Sequence, residues 1–143
     1  MRGQMLAMAL RGGAVPGSGG GGGGGGGTVS FSNINETDTE SAESASCSFA
    51  FYPYGEFSAH ETILSWLTGS SDGSLYDIRV TPTAGSFTVG TVSTWLNLGT
   101  DRFWSVTRAS VGVKQCVSTV EVRNASTLTV LCTATFTITA ERL

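Results

Sequence analysis

The chain has 143 residues, 40% of them hydrophobic, and a formal net charge of −3. These values are typical of a single globular domain and exclude a wholly disordered chain. Eight acids and no lysine or arginine lie in residues 28–78, which therefore carry −8. The six basic residues that follow are dilute and joined to this acidic half, so we expect no nucleic-acid binding.

The first 27 residues differ in composition from the rest. Residues 1–16 hold two arginines and an apolar run of only six residues, Met5 to Leu10. A membrane-spanning helix needs about 18 apolar residues and a signal peptide about 7–15, so we expect no membrane insertion. Residues 17–27 are glycine apart from Ser18, which is typical of a flexible tether. We predict that residues 1–16 dock on a partner, a frayed terminus being the alternative. The predicted docking residues are Met5, Leu6, Met8 and Leu10.

From Thr28 onward, alternating polar and apolar residues and the scarcity of strong helix formers predict β-strands joined by turns. A first strand, marked by Val29, Phe31 and, with a slip, Ile34, runs into a polar, acidic stretch over 35–45. The segments that follow, up to residue 92, are a strand over 46–52, a turn at 53–55, an undecided helix or strand over 57–67, a loop over 69–74, a strand over 75–81, a turn over 82–85 and a strand-like segment over 86–92.

The strongest pattern is the last third of the chain, Thr94 to Ala140. It predicts short strands over 95–98 and 103–107, and then two long strands joined by a turn at 123–126. In the last strand, threonines alternate with an apolar face, and only Leu131 departs from the alternation. That face consists of Leu128, Val130, Cys132, Ala134, Phe136, Ile138 and Ala140. A slip of one residue would turn the whole face outward, so the register is firmly set. Together these segments predict an antiparallel β-sandwich over residues 28–143.

The cysteines indicate a reducing environment. There are three, too few for a small disulfide scaffold, and the odd number leaves at least one thiol free. Cys116 and Cys132 could face each other across a hairpin, but both fall on apolar strand faces. We predict three reduced, buried thiols, including Cys47, in a protein made in a cytoplasm.

Several of these segments together resemble a module of structural proteins from tailed bacterial viruses. They are Tyr76-Asp77-Ile78-Arg79-Val80-Thr81, Thr94-Trp95-Leu96-Asn97-Leu98, Arg102-Phe103-Trp104-Ser105-Val106, Val120-Glu121-Val122-Arg123, Val130-Leu131-Cys132-Thr133-Ala134-Thr135 and Thr139-Ala140. The resemblance covers residues 75–140. It implies an immunoglobulin-like sandwich of a tail-tip, tail-fibre or other virion protein, often preceded by a glycine- or serine-rich connector, with other virion proteins or further copies as partners.

The sequence lacks the residue patterns of the common catalytic and metal sites. His60 is the only histidine, and no Cys-x-x-Cys pair or Gly-x-Ser-x-Gly motif is present. We therefore expect no enzymatic activity, cofactor or metal. One segment is rich in the oxygen ligands that calcium prefers but has no EF-hand spacing, and we interpret it as a solvated loop. Its residues are Asn33, Asn35, Glu36, Asp38 and Glu40.

Aromatic residues suggest the main alternative function. We expect Trp95 and Trp104 to cover the core, and Arg79 to pair with an acid such as Asp77 or Glu121. Three other aromatic residues are candidates for stacking on sugar rings, which would make the chain an adhesin module that binds host surface glycans. They are Tyr52, Tyr54 and Trp66.

The leading expectation is a non-enzymatic virion protein made in the cytoplasm of a bacterial host. It docks through residues 1–16 and presents or packs its β-sandwich in the tail. A glycan-binding adhesin and a capsid decoration protein are the alternatives.

Overall fold

The computed structural model describes residues 27–143; residues 1–26, with the predicted docking residues Met5, Leu6, Met8 and Leu10, lie outside the described part. The described chain forms eleven strands and a short 3-10 helix, Gly73–Leu75. The strands are β1 (Thr28–Val29), β2 (Ile34–Glu40), β3 (Ala45–Phe51), β4 (Glu56–Ala59), β5 (Thr62–Ser65), β6 (Leu67–Thr68), β7 (Tyr76–Ala84), β8 (Leu96–Asn97), β9 (Arg102–Arg108), β10 (Gly112–Asn124) and β11 (Val130–Arg142). Within residues 27–143, no helix has the length and hydrophobicity to cross a membrane.

Two main sheets and one small sheet contain these strands. The five-stranded sheet has the order β2-β11-β10-β7-β8, the four-stranded sheet has the order β5-β4-β3-β9, and β1 pairs with β6. All pairs are antiparallel except β2 with β11. The undecided segment 57–67 forms strands, whereas residues 86–92 make one isolated bridge, Val89 to Ser105. Over residues 27–143 the prediction of an all-β fold is confirmed, whereas the predicted antiparallel arrangement is wrong for the parallel pair of β2 and β11.

The two main sheets pack together around a core of phenylalanine rings. The Phe136 ring of β11 lies 4.8 Å from the Phe49 ring and 6.1 Å from the Phe51 ring, both in β3, between ring centroids. Phe31, just before β2, contacts Phe136 edge-on at 6.0 Å. Each buried aromatic side chain contributes about 1.5–3 kcal/mol, and favourable ring pairs add about 0.5–1.5 kcal/mol. The core is therefore centred where β11 crosses β3.

The last strand follows the predicted alternation over most of its length. At the hairpin end it does not, because Leu128 is 56% exposed and Val130 is 44% exposed. Val122 pairs with Cys132 and Arg123 with Val130, so Leu131 has no partner in β10. Such a β-bulge changes which side chains face the core. The predicted apolar face is buried only at Ala134, Phe136, Ile138 and Ala140.

The acidic segment that we predicted as a loop is strand β2, and this prediction was wrong. Every second side chain of β2 points inward, including the carboxylates of Glu36 and Asp38. These two residues are only 3% and 9% exposed. One oxygen of the Asp38 carboxylate accepts a hydrogen bond from the Ser46 backbone N–H at 3.0 Å. The alternation was hidden because polar side chains stand where apolar ones normally mark the inner face of a strand.

The three thiols are free, as predicted. Cys47 and Cys116 are buried, and Cys132 is half-buried. Cys116 lies opposite Ile138 and Cys132 lies opposite Val122, so the two do not meet across the hairpin. Burial raises the pKa of Cys47 to about 12 and that of Cys116 to about 11.

Because of these pKa values, we expect the free energy of unfolding to fall as the pH rises above about 9. A thiol released by unfolding ionises near its usual pKa of about 8.5, whereas folded Cys47 keeps its proton up to about 12. Between these values the folded state binds more protons, so stability decreases by up to about 1.4 kcal/mol per pH unit for each such thiol. Urea unfolding from about pH 8 to about pH 11 measures this slope. The Cys47→Ala variant should show a shallower slope, and an equal slope would contradict the expectation.

Candidate functional site

The outer surface of the four-stranded sheet carries a row of small side chains beside an exposed ring. Ala50 of β3 pairs with Ser58 on one side and with Phe103 on the other. Directly opposed residues of antiparallel strands share a face, and Phe103 is 50% exposed. Ala50 is only 4% exposed and Ser58 is half-buried, so this row is largely covered beside the Phe103 ring.

Tyr52 and Tyr54 stack on each other beside this row, just past the end of β3. Their ring centroids lie 5.4 Å apart, and the ring planes differ by 5°. Tyr52 is half-buried, with its hydroxyl oxygen 3.2 Å from the Ser58 hydroxyl oxygen, and Tyr54 is 55% exposed. Tyr52 thus covers one face of the Tyr54 ring and leaves the rest of that ring to solvent.

The turn that carries the two tyrosines is held tightly. The Tyr52 N–H donates to the Glu56 carbonyl at 2.9 Å, and the Gly73 N–H donates to the Pro53 carbonyl at 2.8 Å. Gly55 has a φ of +103°, and a Cβ there would lie 2.9 Å from a backbone oxygen of β6. Only glycine adopts this conformation without strain. The backbone that carries the tyrosine pair is therefore held in one conformation.

Trp66, the third aromatic residue of the predicted glycan contact, is fully buried and cannot contact a surface ligand. Its indole packs edge-on against the Tyr76 ring at 5.6 Å between centroids. Its Nε1–H donates to the Tyr52 carbonyl at 2.9 Å. Trp66 therefore supports the tyrosine turn from the core.

Two exposed carboxylates flank the tyrosine pair. Since β3 lies between β4 and β9, the strand register places Glu56 and Asp101 in one row with Tyr52, one on each side. Neighbouring strands are about 4.8 Å apart, which puts the two acidic backbones about 10 Å apart. The pKa of the Tyr54 phenol is raised, first by desolvation and then by the charge of Glu56, by Tyr52 and by the charge of Asp101. We call Tyr52, Tyr54, Glu56, Asp101 and Phe103 the tyrosine surface.

A groove of about 440 Å³ extends the tyrosine surface beyond β9 and shares Asp101 and Phe103 with it. Trp104 forms part of its wall, is 1% exposed and donates from Nε1 to the Thr91 carbonyl at 2.7 Å. The prediction that Trp104 belongs to the core is confirmed. Its bond to Thr91 also holds the segment that borders the groove.

The outer surface of the five-stranded sheet carries a second aromatic and charged group. Arg79 binds Glu121 at 3.0 Å, one of the two partners expected for it, and Arg123 binds Asp77 at 3.0 Å. Both guanidinium groups lie over the half-buried Trp95 ring, 4.5 Å and 4.2 Å from its centroid. Trp95 therefore packs on charged side chains outside the core, and the prediction of a core role was wrong. Cation–π contacts of this kind contribute about 0.5–1 kcal/mol at exposed sites.

Within residues 27–143, no group of three histidine, cysteine or acidic side chains is arranged to hold a metal ion. The oxygen-rich segment is divided between the two faces of β2, with Glu36 and Asp38 inside and Asn35 outside. His60 lies at one edge, with its Nε2 atom 3.4 Å from an Asp38 carboxylate oxygen.

Comparison of the chain with protein-family models, with curated proteins and with solved structures finds no match. The functional interpretation therefore depends on the geometry. Sequence reasoning found Tyr52 and Tyr54 but missed Glu56, Asp101 and Phe103. Glu56 is close to Tyr54 in the sequence, whereas Asp101 and Phe103 are about 50 positions away and are joined to the tyrosines only by the pairing of β3 with β9, which leaves no mark in the local sequence.

Proposed function

We propose that this chain is a non-enzymatic structural protein of a tailed-phage virion, with an immunoglobulin-like sandwich presented or packed in the tail or tail tip. The supporting observation is the arrangement of the segments that carry the resemblance. Those in β7, β8, β10 and β11 lie in a single sheet, and the one in β9 belongs to the sheet packed against it. The resemblance thus concerns a connected part of the fold.

In this proposal, residues 1–16 attach the domain to other virion proteins. Their apolar residues Met5, Leu6, Met8 and Leu10 supply contact area, and Arg2 and Arg11 supply charge. The glycine-rich segment 17–27 has eleven residues, and a random coil of that length would span about 17–20 Å. That length separates the docking point from the domain and lets neighbouring copies pack side by side.

Deleting residues 1–16 is expected to abolish incorporation into phage particles and to leave the domain folded. The fold should survive because the buried core cluster runs from Val29 to Ala140. Quantitative mass spectrometry of purified particles measures incorporation, and circular dichroism of the purified variant checks the fold. A full-length variant with Met5, Leu6, Met8 and Leu10 replaced by serine should behave like the deletion. Normal incorporation of both variants would refute docking through this segment.

Glycan binding is the second candidate function, and the tyrosine surface favours it. Tyr54 presents an exposed ring on a rigid turn, a geometry that stacks against the C–H face of a sugar at little entropic cost. Glu56 and Asp101 supply acceptors for sugar hydroxyl groups at either side. In this function the domain would attach the particle to host surface glycans.

We expect Tyr54→Ala to weaken glycan binding about tenfold or more, which corresponds to about 1.4 kcal/mol for one lost aromatic contact. Screening the full chain on a glycan array and measuring hits by calorimetry gives the affinity. Tyr54→Phe keeps the ring and should retain most of it. Val113→Ala removes an equally exposed side chain near the opposite end of β10 from the β10–β11 turn and serves as the control. Equal binding by Tyr54→Ala and this control would exclude Tyr54 as a contact.

A further inference from the structure

The tyrosine surface combines aromatic rings with uncompensated negative charge. Glu56 and Asp101 are exposed, and none of the ion pairs in the described part of the chain includes either of them. Arg102, which follows Asp101, also lines the groove beyond β9, but its Nε–H donates to the Asn97 carbonyl at 3.0 Å and it forms an ion pair with neither carboxylate. The two carboxylates therefore act on whatever occupies the space above Tyr54.

The same surface is suited to a cation. The face of a tyrosine ring attracts an ammonium group, and two carboxylates within reach add charge-assisted hydrogen bonds, which are about twice as strong as neutral ones. The raised pKa of Tyr54 reflects, after desolvation, the field of both carboxylates at this ring. A negative phenolate is disfavoured by that field, and a positive ligand group is favoured by it for the same reason.

The surface also has features that a simple cation does not use. The Tyr54 ring lies on a second ring that is parallel to it within 5°, so it offers a flat, fixed platform. Beside it, the Ser58 hydroxyl is paired with the Tyr52 hydroxyl at 3.2 Å, and the exposed Phe103 ring lies on the other side of β3. A flat ligand ring with hydroxyl groups and one positive charge would use the platform and the carboxylates together.

We propose that the tyrosine surface binds a positively charged amino sugar, with its ring against Tyr54 and its ammonium group held by Glu56 and Asp101. This inference rests on the second candidate function, glycan binding, and names the class of sugar. A neutral or N-acetylated sugar keeps the stacking contact but loses the charge-assisted bonds, and an anionic sugar is repelled.

The test compares two ligands that share one backbone, a β-1,4-linked glucosamine tetramer and its fully N-acetylated form. Calorimetry with the full chain at low salt and at a pH of about 6 keeps the amino groups charged. We expect the glucosamine tetramer to bind at least about tenfold more tightly, with an advantage that shrinks as salt is added because exposed charges are screened.

Isosteric variants locate the contact. Glu56→Gln and Asp101→Asn should each weaken binding of the glucosamine tetramer about fivefold or more and leave the acetylated tetramer almost unaffected, because only the charge is removed. Glu43→Gln, which removes an exposed acid elsewhere, is the matched control and should have no effect.

The outcomes separate this inference from the function on which it rests. Equal binding of both tetramers refutes the charged-sugar assignment and leaves glycan binding intact. Binding of neither tetramer, with hits to other glycans on the array, also refutes the assignment alone, whereas an empty array refutes both. Equal binding of tetralysine shows recognition of charge without a sugar and overturns the assignment. Full binding by the Glu56 and Asp101 variants places the site elsewhere and overturns it as well.

Discussion

Phe136→Ala should lower the free energy of unfolding by about 3–5 kcal/mol, the usual cost of truncating a large buried aromatic side chain. The Phe136 ring is fully buried and contacts four phenylalanine rings, which are Phe31, Phe49, Phe51 and Phe57. These rings come from β3, β4 and the segment before β2. The cavity left by the substitution borders both sheets, so movement of one strand cannot close it.

Urea-induced unfolding followed by circular dichroism measures this loss. Thr135→Ala is the matched control, because Thr135 precedes Phe136 in β11 and its side chain is exposed. We expect that control to change stability by no more than about 0.5 kcal/mol. A loss below about 1 kcal/mol for Phe136→Ala would mean that the sheets are not joined through this ring.

Gly73→Ala should destabilise the domain by about 1–3 kcal/mol, the cost of adding a methyl group to a tightly packed site. Gly73 is buried, and a Cβ at this position would lie 2.4 Å from the Leu98 carbonyl oxygen and 2.8 Å from the Pro53 Cα atom. Both are backbone atoms, so a side-chain rotation cannot relieve the contact. Pro53 lies between the two stacked tyrosines, and the substitution should therefore also displace that pair.

Thermal unfolding and near-ultraviolet circular dichroism of the tyrosines test the two effects separately. Ser71→Ala lies two residues earlier, at an exposed position, and should alter neither stability nor spectrum. Unchanged tyrosine signals in Gly73→Ala would show that the turn is held independently of this glycine.

Where side-chain pattern and burial agree, the fold could be predicted from the sequence. The alternation around Phe136 and Ile138 gave the correct inner face because one face of β11 packs on the core. At the other end of the same strand, the unpaired Leu131 reversed the alternation. A bulge depends on the partner strand, and the sequence of one strand does not contain that information.

The roles of Trp66 and Trp95 could not be predicted for a related reason. Trp66 lies between β5 and β6, where the strand period is interrupted, so periodicity does not tell which way it points. Trp95 stands just before β8 and covers Arg79 and Arg123, two residues that become its neighbours only through sheet pairing. The exposure of Tyr54 was predictable because a Pro-Tyr-Gly turn presents its side chain to solvent.

The parallel pairing of β2 with β11 determines the order in which the domain can be completed during synthesis. The Asn33 side chain accepts a hydrogen bond from the Thr135 backbone N–H, 102 positions later in the chain. At about 5–20 residues per second, the ribosome needs roughly 5–20 s to produce this partner. During that interval β2 has no strand beside it, and its three carboxylates, those of Glu36, Asp38 and Glu40, oppose the premature association of nascent chains.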